Sequence, residues 1–421
     1  MLISREPDSK IPRETFMKVC FNRLALGLTL AGCGDLVHAA GFALIEQNAS
    51  GLGNAYAGQA ASAQDASTIF FNPAGMTLLP DRQVVIAGNL IKPSTDFSGT
   101  VTPAILGGGD GGDAGDLAFV PNAYLAYRVS PDVHLGVSLN APFGLKTEYD
   151  STWMGRTQAI KSELKTISLN PSIAWKASES LSFGAGLSIQ YIEAILSNAT
   201  SGAIPPNVGT VKGDDYGWGF NLGALWQMSE ATRIGLAYRS EVDQSLKGDL
   251  RFSASPAMIP VTADVTLPDT ASLSLFHILN TRWELLADIT WTGWSSFDEL
   301  RIVNTSGTPV SVTPEHWNDS YRYSVGANYH LDNKLTLRGG VAYDETPVSD
   351  TFRTARIPDE NRTWLAFGAQ YRISATSMID VGYAHLFIDS ARIDKLENGV
   401  TLSGVYKNSV DILSAQLTLN F

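Results

Sequence analysis

The sequence predicts an all-β protein: a 14-stranded antiparallel transmembrane β-barrel whose N-terminal segment is lodged in the lumen as a plug. Three observations predict it. Downstream of the first forty residues, no uninterrupted apolar run reaches the roughly 18 residues that a membrane helix needs. Alternate residues of several segments are apolar, as a wall facing lipid on one side and a lumen on the other requires. Tight turns and long polar connections alternate along the whole chain, the asymmetry of barrels with short periplasmic turns and long external loops.

The alternation is plainest at the C-terminus. Leu413, Ala415, Leu417, Leu419 and Phe421 form one face against Ser414, Gln416, Thr418 and Asn420. The terminal Phe421 resembles the assembly signal of outer-membrane barrels. The same dyad recurs from Tyr321 to Leu331, where Tyr321, Tyr323, Val325, Ala327, Tyr329 and Leu331 oppose Arg322, Ser324, Gly326, Asn328 and His330. A soluble sandwich can show that pattern too, so the connections decide. Tight turns fall at Ser130-Pro131-Asp132, Ser178-Glu179-Ser180, Ser229-Glu230-Ala231, Asn280-Thr281, Asp332-Asn333 and Ala375-Thr376. Long connections fall around 98–116, 144–163, 197–215, 253–265, 304–318, 346–360 and 389–408. Thirteen connections mean fourteen strands, with both barrel ends on the periplasmic side. Trp175, Tyr191, Trp218, Trp226, Trp283, Trp291 and Trp294 are expected as interfacial girdle residues.

Residues 1–39 read as a signal peptide: Lys18 and Arg23 precede the apolar stretch from Leu24 to Gly32, and Val37-His38-Ala39 offers a small-residue cleavage site. An alternative takes Leu30-Ala31-Gly32-Cys33 as a lipoprotein box with Cys33 acylated. Cleavage after Ala39 removes both cysteines, Cys20 and Cys33. It also takes five of the 30 basic and four of the 42 acidic residues, leaving a net charge of −13. Such a balance excludes nucleic acid as a partner.

The barrel is assigned to 82–421 and the segment before it, 40–81, to the plug. Residues 40–75 lack strand alternation, and ten Ala, five Gly and three Ser make up half of them. Small side chains let a backbone fold back in a confined space. Phe42, Leu44, Ile45, Tyr56, Ile69, Phe70 and Phe71 argue against the alternative, a solvated periplasmic tail. Pro73 fixes its own φ and pushes Asn72 out of the α region, while the Asn72 side chain can bond nearby backbone.

Ala40-Gly41-Phe42, Ser50-Gly51-Leu52-Gly53, Ala55-Tyr56-Ala57-Gly58, Asp65-Ala66-Ser67 and Asn72-Pro73-Ala74 resemble, in order and spacing, the hatch of the FadL family of outer-membrane long-chain fatty acid and hydrophobic-compound transporters. The resemblance marks Gly51, Gly53, Asn72, Pro73 and Ala74 as the hatch motif and runs on to Phe421. It is weakest in the outer loops. It implies capture of an apolar ligand at the outer loops, a pocket inside the barrel, and sideways exit through the wall.

Each implied step has candidate residues. The third strand ends Leu139-Asn140-Ala141-Pro142-Phe143-Gly144, and proline within a ladder removes a donor. Asn140, Pro142 and Gly144 therefore resemble the family's kinked strand and its lateral opening; alternatively Pro142 simply ends the strand. Alternation points Arg128, Arg239, Arg322, Arg338 and Arg372 into the lumen with Glu284 and Asp288. Any of these arginines could hold a ligand carboxylate, or pair with wall acids or the plug. Exposed apolar groups at Ile105, Leu106, Trp153, Met154, Ile204, Met258 and Ile259 could capture greasy ligands, contact lipopolysaccharide, or pack the loops. The run Gly107 to Asp116 reads as a flexible loop, because a glycine-aspartate calcium repeat occurs in stacks.

The expected ligand is a long-chain fatty acid or another hydrophobic small molecule, with neutral aromatic hydrocarbons as the alternative within the family. Outer-membrane lipid and lipopolysaccharide are the expected surroundings, and a monomer the expected state, with no metal and no cofactor. A lipid-hydrolysing barrel is the rival from another class. His134, His277, His330 and His385 fall on separate strands, with no GxSxG or HExxH motif beside them. A general porin would need no plug.

Overall fold

A computed structural model describes residues 41–104 and 107–421. The expected leader, with Cys20, Cys33 and the Ala39 junction, lies outside the described residues, as do Ile105 and Leu106.

Twenty strand segments build one closed antiparallel sheet. The walls are β1 (Arg82–Thr102), β2 (Ala118–Ser130), β3 (Val133–Asn140) continued by β4 (Gly144–Glu148), β5 (Lys161–Lys176), β6 (Leu181–Ala199) and β7 (Val208–Ser229). Next come β8 (Thr232–Arg239) with β9 (Val242–Phe252), β10 (Ser255–Leu267) with β11 (Thr270–Ile278), β12 (Trp283–Thr292) with β13 (Glu299–Asn304), and β14 (Pro309–Pro314) with β15 (Ser320–His330). The series ends with β16 (Leu335–Asp344), β17 (Arg362–Arg372), β18 (Ser377–Ile388) and β20 (Val400–Asn420), against whose outer half β19 (Ala391–Glu397) folds back. That makes fourteen walls, closed by β1 pairing with both β2 and β20. No helix among the described residues is long and apolar enough to cross a membrane.

Side-chain alternation follows the expected phase. Leu413 is 54 % exposed on the outer surface while Ser414 beside it is 1 % exposed. Tyr321, Tyr323 and Val325 face out, and Arg322, Ser324 and Asn328 face in. All six tight turns fall between walls where expected.

The outer connections differ from the expectation. Residues 253–265 are mostly strand β10, 304–318 contain β14, and 389–408 contain β19 and part of β20. Above the bilayer these strands face water or one another, so the apolar alternation that marks a lipid-facing strand fades although the ladder continues. Four adjacent walls break before they extend outward, at 240–241, 268–269, 293–298 and 315–319. Past the breaks, β9, β10, β13 and β14 pair side by side as an outer extension of β7.

Two tryptophans are therefore corrected. Trp294 sits in a 3-10 turn inside the 293–298 break and is wholly buried, because the break turns it inward. Trp153 is wholly buried too, stacked on Tyr149 with ring centroids 4.0 Å apart. Trp175, Trp218, Trp226 and Trp283 stand exposed on the outer surface, and Tyr191 and Trp291 are half-buried.

The lumen is filled by the segment before Arg82, which forms short helical turns at Ala49–Leu52, Gln59–Ser62 and Thr68–Phe71 and a 3-10 helix at Pro73–Leu78. Its seat is cut to backbone thickness. A Cβ added to Gly340 of β16 would come within 2.2 Å of the Asn54 carbonyl oxygen, and one on Gly235 of β8 within 1.9 Å of that of Ala60. Wall arginines fasten the same segment: Arg233 donates to the Ser62 carbonyl (2.9 Å), Arg239 to that of Phe70 (2.9 Å) and Arg322 to that of Ala55 (2.8 Å).

A cavity and a gap in the wall

The β2–β3 ladder stops at the pair Ala123–Leu139. Above it Ala118–Asn122 pair only with β1, and β4 pairs only with β5. The register on β5 also slips by one residue across the break, since Asn140 faces Ser168 and Gly144 faces Lys165. Pro142 lies within this break. Leu90 of β1, opposite Phe119, and Ile167 of β5 are lipid-facing at that height, so the gap lies in the apolar band. An open strand edge is not tolerated there, because lipid supplies no hydrogen-bond partner.

The plug's own N-terminal end closes the edge. Ala43 bridges antiparallel to Phe143; the Leu44 N–H donates to the Pro142 carbonyl at 2.8 Å, and the Gly144 N–H to the Phe42 carbonyl at 2.9 Å. Gln47 follows with side-chain bonds, donating to the Ala141 carbonyl (3.1 Å) and accepting from Asn140 Nδ2 (3.0 Å). Asn140 Nδ2 also lies 2.7 Å from the Tyr124 hydroxyl and 3.2 Å from Asn122 Oδ1. Asn140, Pro142 and Gly144 thus meet the plug at one place.

Phe42 has a second role. Its ring packs among Phe143, Trp294, Phe297 and Trp317, with centroids 4.7 to 6.1 Å away. It also lines a cavity, partly continuous with solvent, between the β5–β7 walls and the outer β9, β10 and β13. Leu145, Leu164, Ile192, Leu196, Val211, Leu246, Val261, Ile302 and Ile357 make it predominantly apolar, a character suited to a hydrophobic ligand. Glu163, Glu315 and Arg356 are the charged residues of its lining. Glu163 is held by Lys161 and Lys165. Arg356 uses Nη1 for the carbonyls of Lys161 (3.3 Å) and Ser197 (3.4 Å) and for Ser162 Oγ (3.1 Å). Burial lowers its guanidinium from the ordinary value.

None of the five arginines singled out by alternation lines this cavity. Arg128 pairs with Asp81 at the plug's end, half exposed. Arg239 and Arg322 fasten the plug. Arg338 joins Asp380 and donates to Gln64 at 3.1 Å. Arg372 is exposed beside the periplasmic turn rather than in the lumen, because it is the last residue of β17. His134, His277, His330 and His385 stand on β3, β11, β15 and β18, away from the cavity.

The hatch-motif residues take close-packed places. A Cβ on Gly51 would meet Asn48 Oδ1 at 2.5 Å, and one on Gly53 the Gly368 Cα at 2.9 Å. Asn72 is extended and caps the 3-10 helix, accepting from the Ala74 N–H at 3.1 Å. Its Nδ2 donates to the carbonyls of Ala60 (2.7 Å) and Ala224 of β7 (3.0 Å). Pro73 opens the helix, where its missing N–H costs nothing.

Arg356 and Glu315 escaped the sequence reading because both lie in connections taken to be outside the barrel. Each is a charged residue close to apolar ones in the sequence (Ile357, Trp317), a signal too common in loops to single them out.

Comparison with known proteins agrees with this architecture. A long-chain fatty acid transport protein of Salmonella typhi is 30% identical, over 90% of this chain and 94% of its own. The crystal structure of a Pseudomonas aeruginosa FadL homologue superposes with a TM-score of 0.84 at 27% identity, covering 91% of this chain and 100% of that one. The Ralstonia pickettii toluene transporter TbuX shares the fold, with a TM-score of 0.68 at 19% identity over 89% of this chain and 99% of that one. Residues 31–421 match the family described as outer membrane protein transport protein (OMPP1/FadL/TodX), and the chain belongs to it.

Proposed function

We propose that this protein carries long-chain fatty acids or similar hydrophobic molecules across the outer membrane. It takes them at its external face, holds them in the apolar cavity and releases them sideways into the bilayer through the gap beside Pro142. One observation carries the reading: Phe42 lines the cavity while its own carbonyl and the Leu44 N–H two residues on seal the gap. A ligand filling the cavity displaces Phe42, and displacement of Phe42 strips the edge of β4. The plug below stays seated by the wall arginines and glycines, so the lateral route is the one left open.

Arg356 favours a carboxylate over a neutral hydrocarbon. Its hydrogen bonds leave from Nη1, and Nε and Nη2 have no partner among the described residues, so that edge can take a carboxylate in the bidentate manner. Ile204 in the connection between β6 and β7, and Met258 and Ile259 on the outer extension, are exposed and suit ligand capture or lipopolysaccharide contact. The protein acts as a monomer, and it is a transporter rather than a lipid hydrolase. Uptake of labelled oleate by cells lacking their own transporter, with palmitate and toluene as competitors, tests this. Protein-dependent uptake blocked by palmitate supports the fatty-acid reading, whereas competition by toluene alone moves the assignment to hydrocarbons.

A further inference from the structure

Glu315 is an unusual residue to find on an apolar cavity. The 315–319 break places it there: its N–H donates to the Asp298 carbonyl at 2.9 Å, and Trp317 Nε1 donates to its Oε2 at 3.1 Å. Trp317 is itself wedged between Trp294 and Phe297, both with centroids at 4.9 Å. The carboxyl is therefore held by a packed indole and not by a loose loop. The charged groups around it come from three other elements. Arg356 lies in the connection between β16 and β17, Lys395 and Glu397 belong to β19, and Glu163 of β5 lines the same cavity but is committed to Lys161 and Lys165. Lys395 bonds instead to the Phe352 carbonyl at 3.4 Å. Only the indole N–H bonds the Glu315 carboxyl directly among the described residues. Burial pushes this carboxyl up to about 8, so at neutral pH it carries a proton.

We propose that Glu315 sets the head-group charge the cavity accepts: protonated, it stands as a second donor beside Arg356 for an anionic head group, and ionised, it claims Arg356 and turns the anion away. The proton is released to solvent in the second state, and the cavity then holds balanced charge, which a neutral ligand tolerates and an anion does not. The inference rests on the reading of the cavity as the ligand site.

Two ligands of equal length separate the two ideas. Binding of 11-bromoundecanoate and 11-bromo-1-undecanol to the intact protein is followed by bromine quenching of tryptophan fluorescence between pH 7 and 9.5. If anion binding needs protonated Glu315, the carboxylate weakens about thirtyfold over that span while the alcohol is unchanged. In Glu315→Gln, the ratio of carboxylate affinities at the two pH values falls to about one, whatever the absolute affinity. A pH-independent carboxylate in the wild type overturns the inference without any variant, and so does an unaltered pH dependence in Glu315→Gln. Binding of neither ligand at any pH overturns the cavity reading itself.

Discussion

Arg356→Leu is expected to cut uptake of oleate by about ten- to a hundredfold while leaving that of toluene within a factor of two. Charge-assisted hydrogen bonds contribute about 1.5–3 kcal/mol each, and no second cation lines the cavity to replace this one among the described residues. A hydrocarbon makes no such bond and gains a slightly more apolar wall. Equal loss for both ligands, measured in the same cells at matched barrel content, would show that Arg356 only supports the fold through its bonds to the 161, 162 and 197 positions.

The second large effect concerns the plug. Deleting residues 41–75 is expected to leave a folded, heat-modifiable barrel that admits small polar solutes, read as single-channel conductance in planar bilayers and as swelling of liposomes in sugars. Apart from the short edge at the Pro142 gap, which the deletion leaves unsealed, the fourteen walls close through their own ladders, and a barrel of this strand number is wide enough to conduct once emptied. The vacated lumen would present Arg233, Arg239, Arg322 and Asn328 to water, which they accept readily. A deletion no more conductive than the intact protein would contradict the seat described for this segment.

How much of this the sequence disclosed follows from where each residue sits relative to lipid. Walls in the bilayer meet hydrocarbon on one side and a polar lumen on the other, so Leu413 to Phe421 and Tyr321 to Leu331 announce themselves. The tight turns do so through their turn-forming residues. Outside the bilayer the contrast vanishes, which hid β14, β19 and the outward course of β10. Parity failed where a wall breaks: Trp294 belongs by counting to the girdle, but the 293–298 turn puts it against Phe42. Arg239 and Arg322 were visible as lumen arginines, yet their partners are plug carbonyls, which no alternation pattern reveals. Pairing of Phe42–Leu44 with the Pro142 break brings together residues a hundred positions apart, joined by main-chain bonds that any sequence could make.

The central claim, that the plug's N-terminal end must leave the gap for ligand to pass, is tested most directly by tying the two together. Ala43 and Phe143 face each other across the bridge, and cysteines at such cross-strand pairs approach disulfide geometry. From Gly41 onward the chain has no cysteine of its own, so Ala43→Cys with Phe143→Cys gives one defined pair. Oleate uptake should fall to the background of cells without the protein when the pair is oxidised and return on reduction with dithiothreitol. Equal uptake in the oxidised and reduced states would contradict the lateral gate.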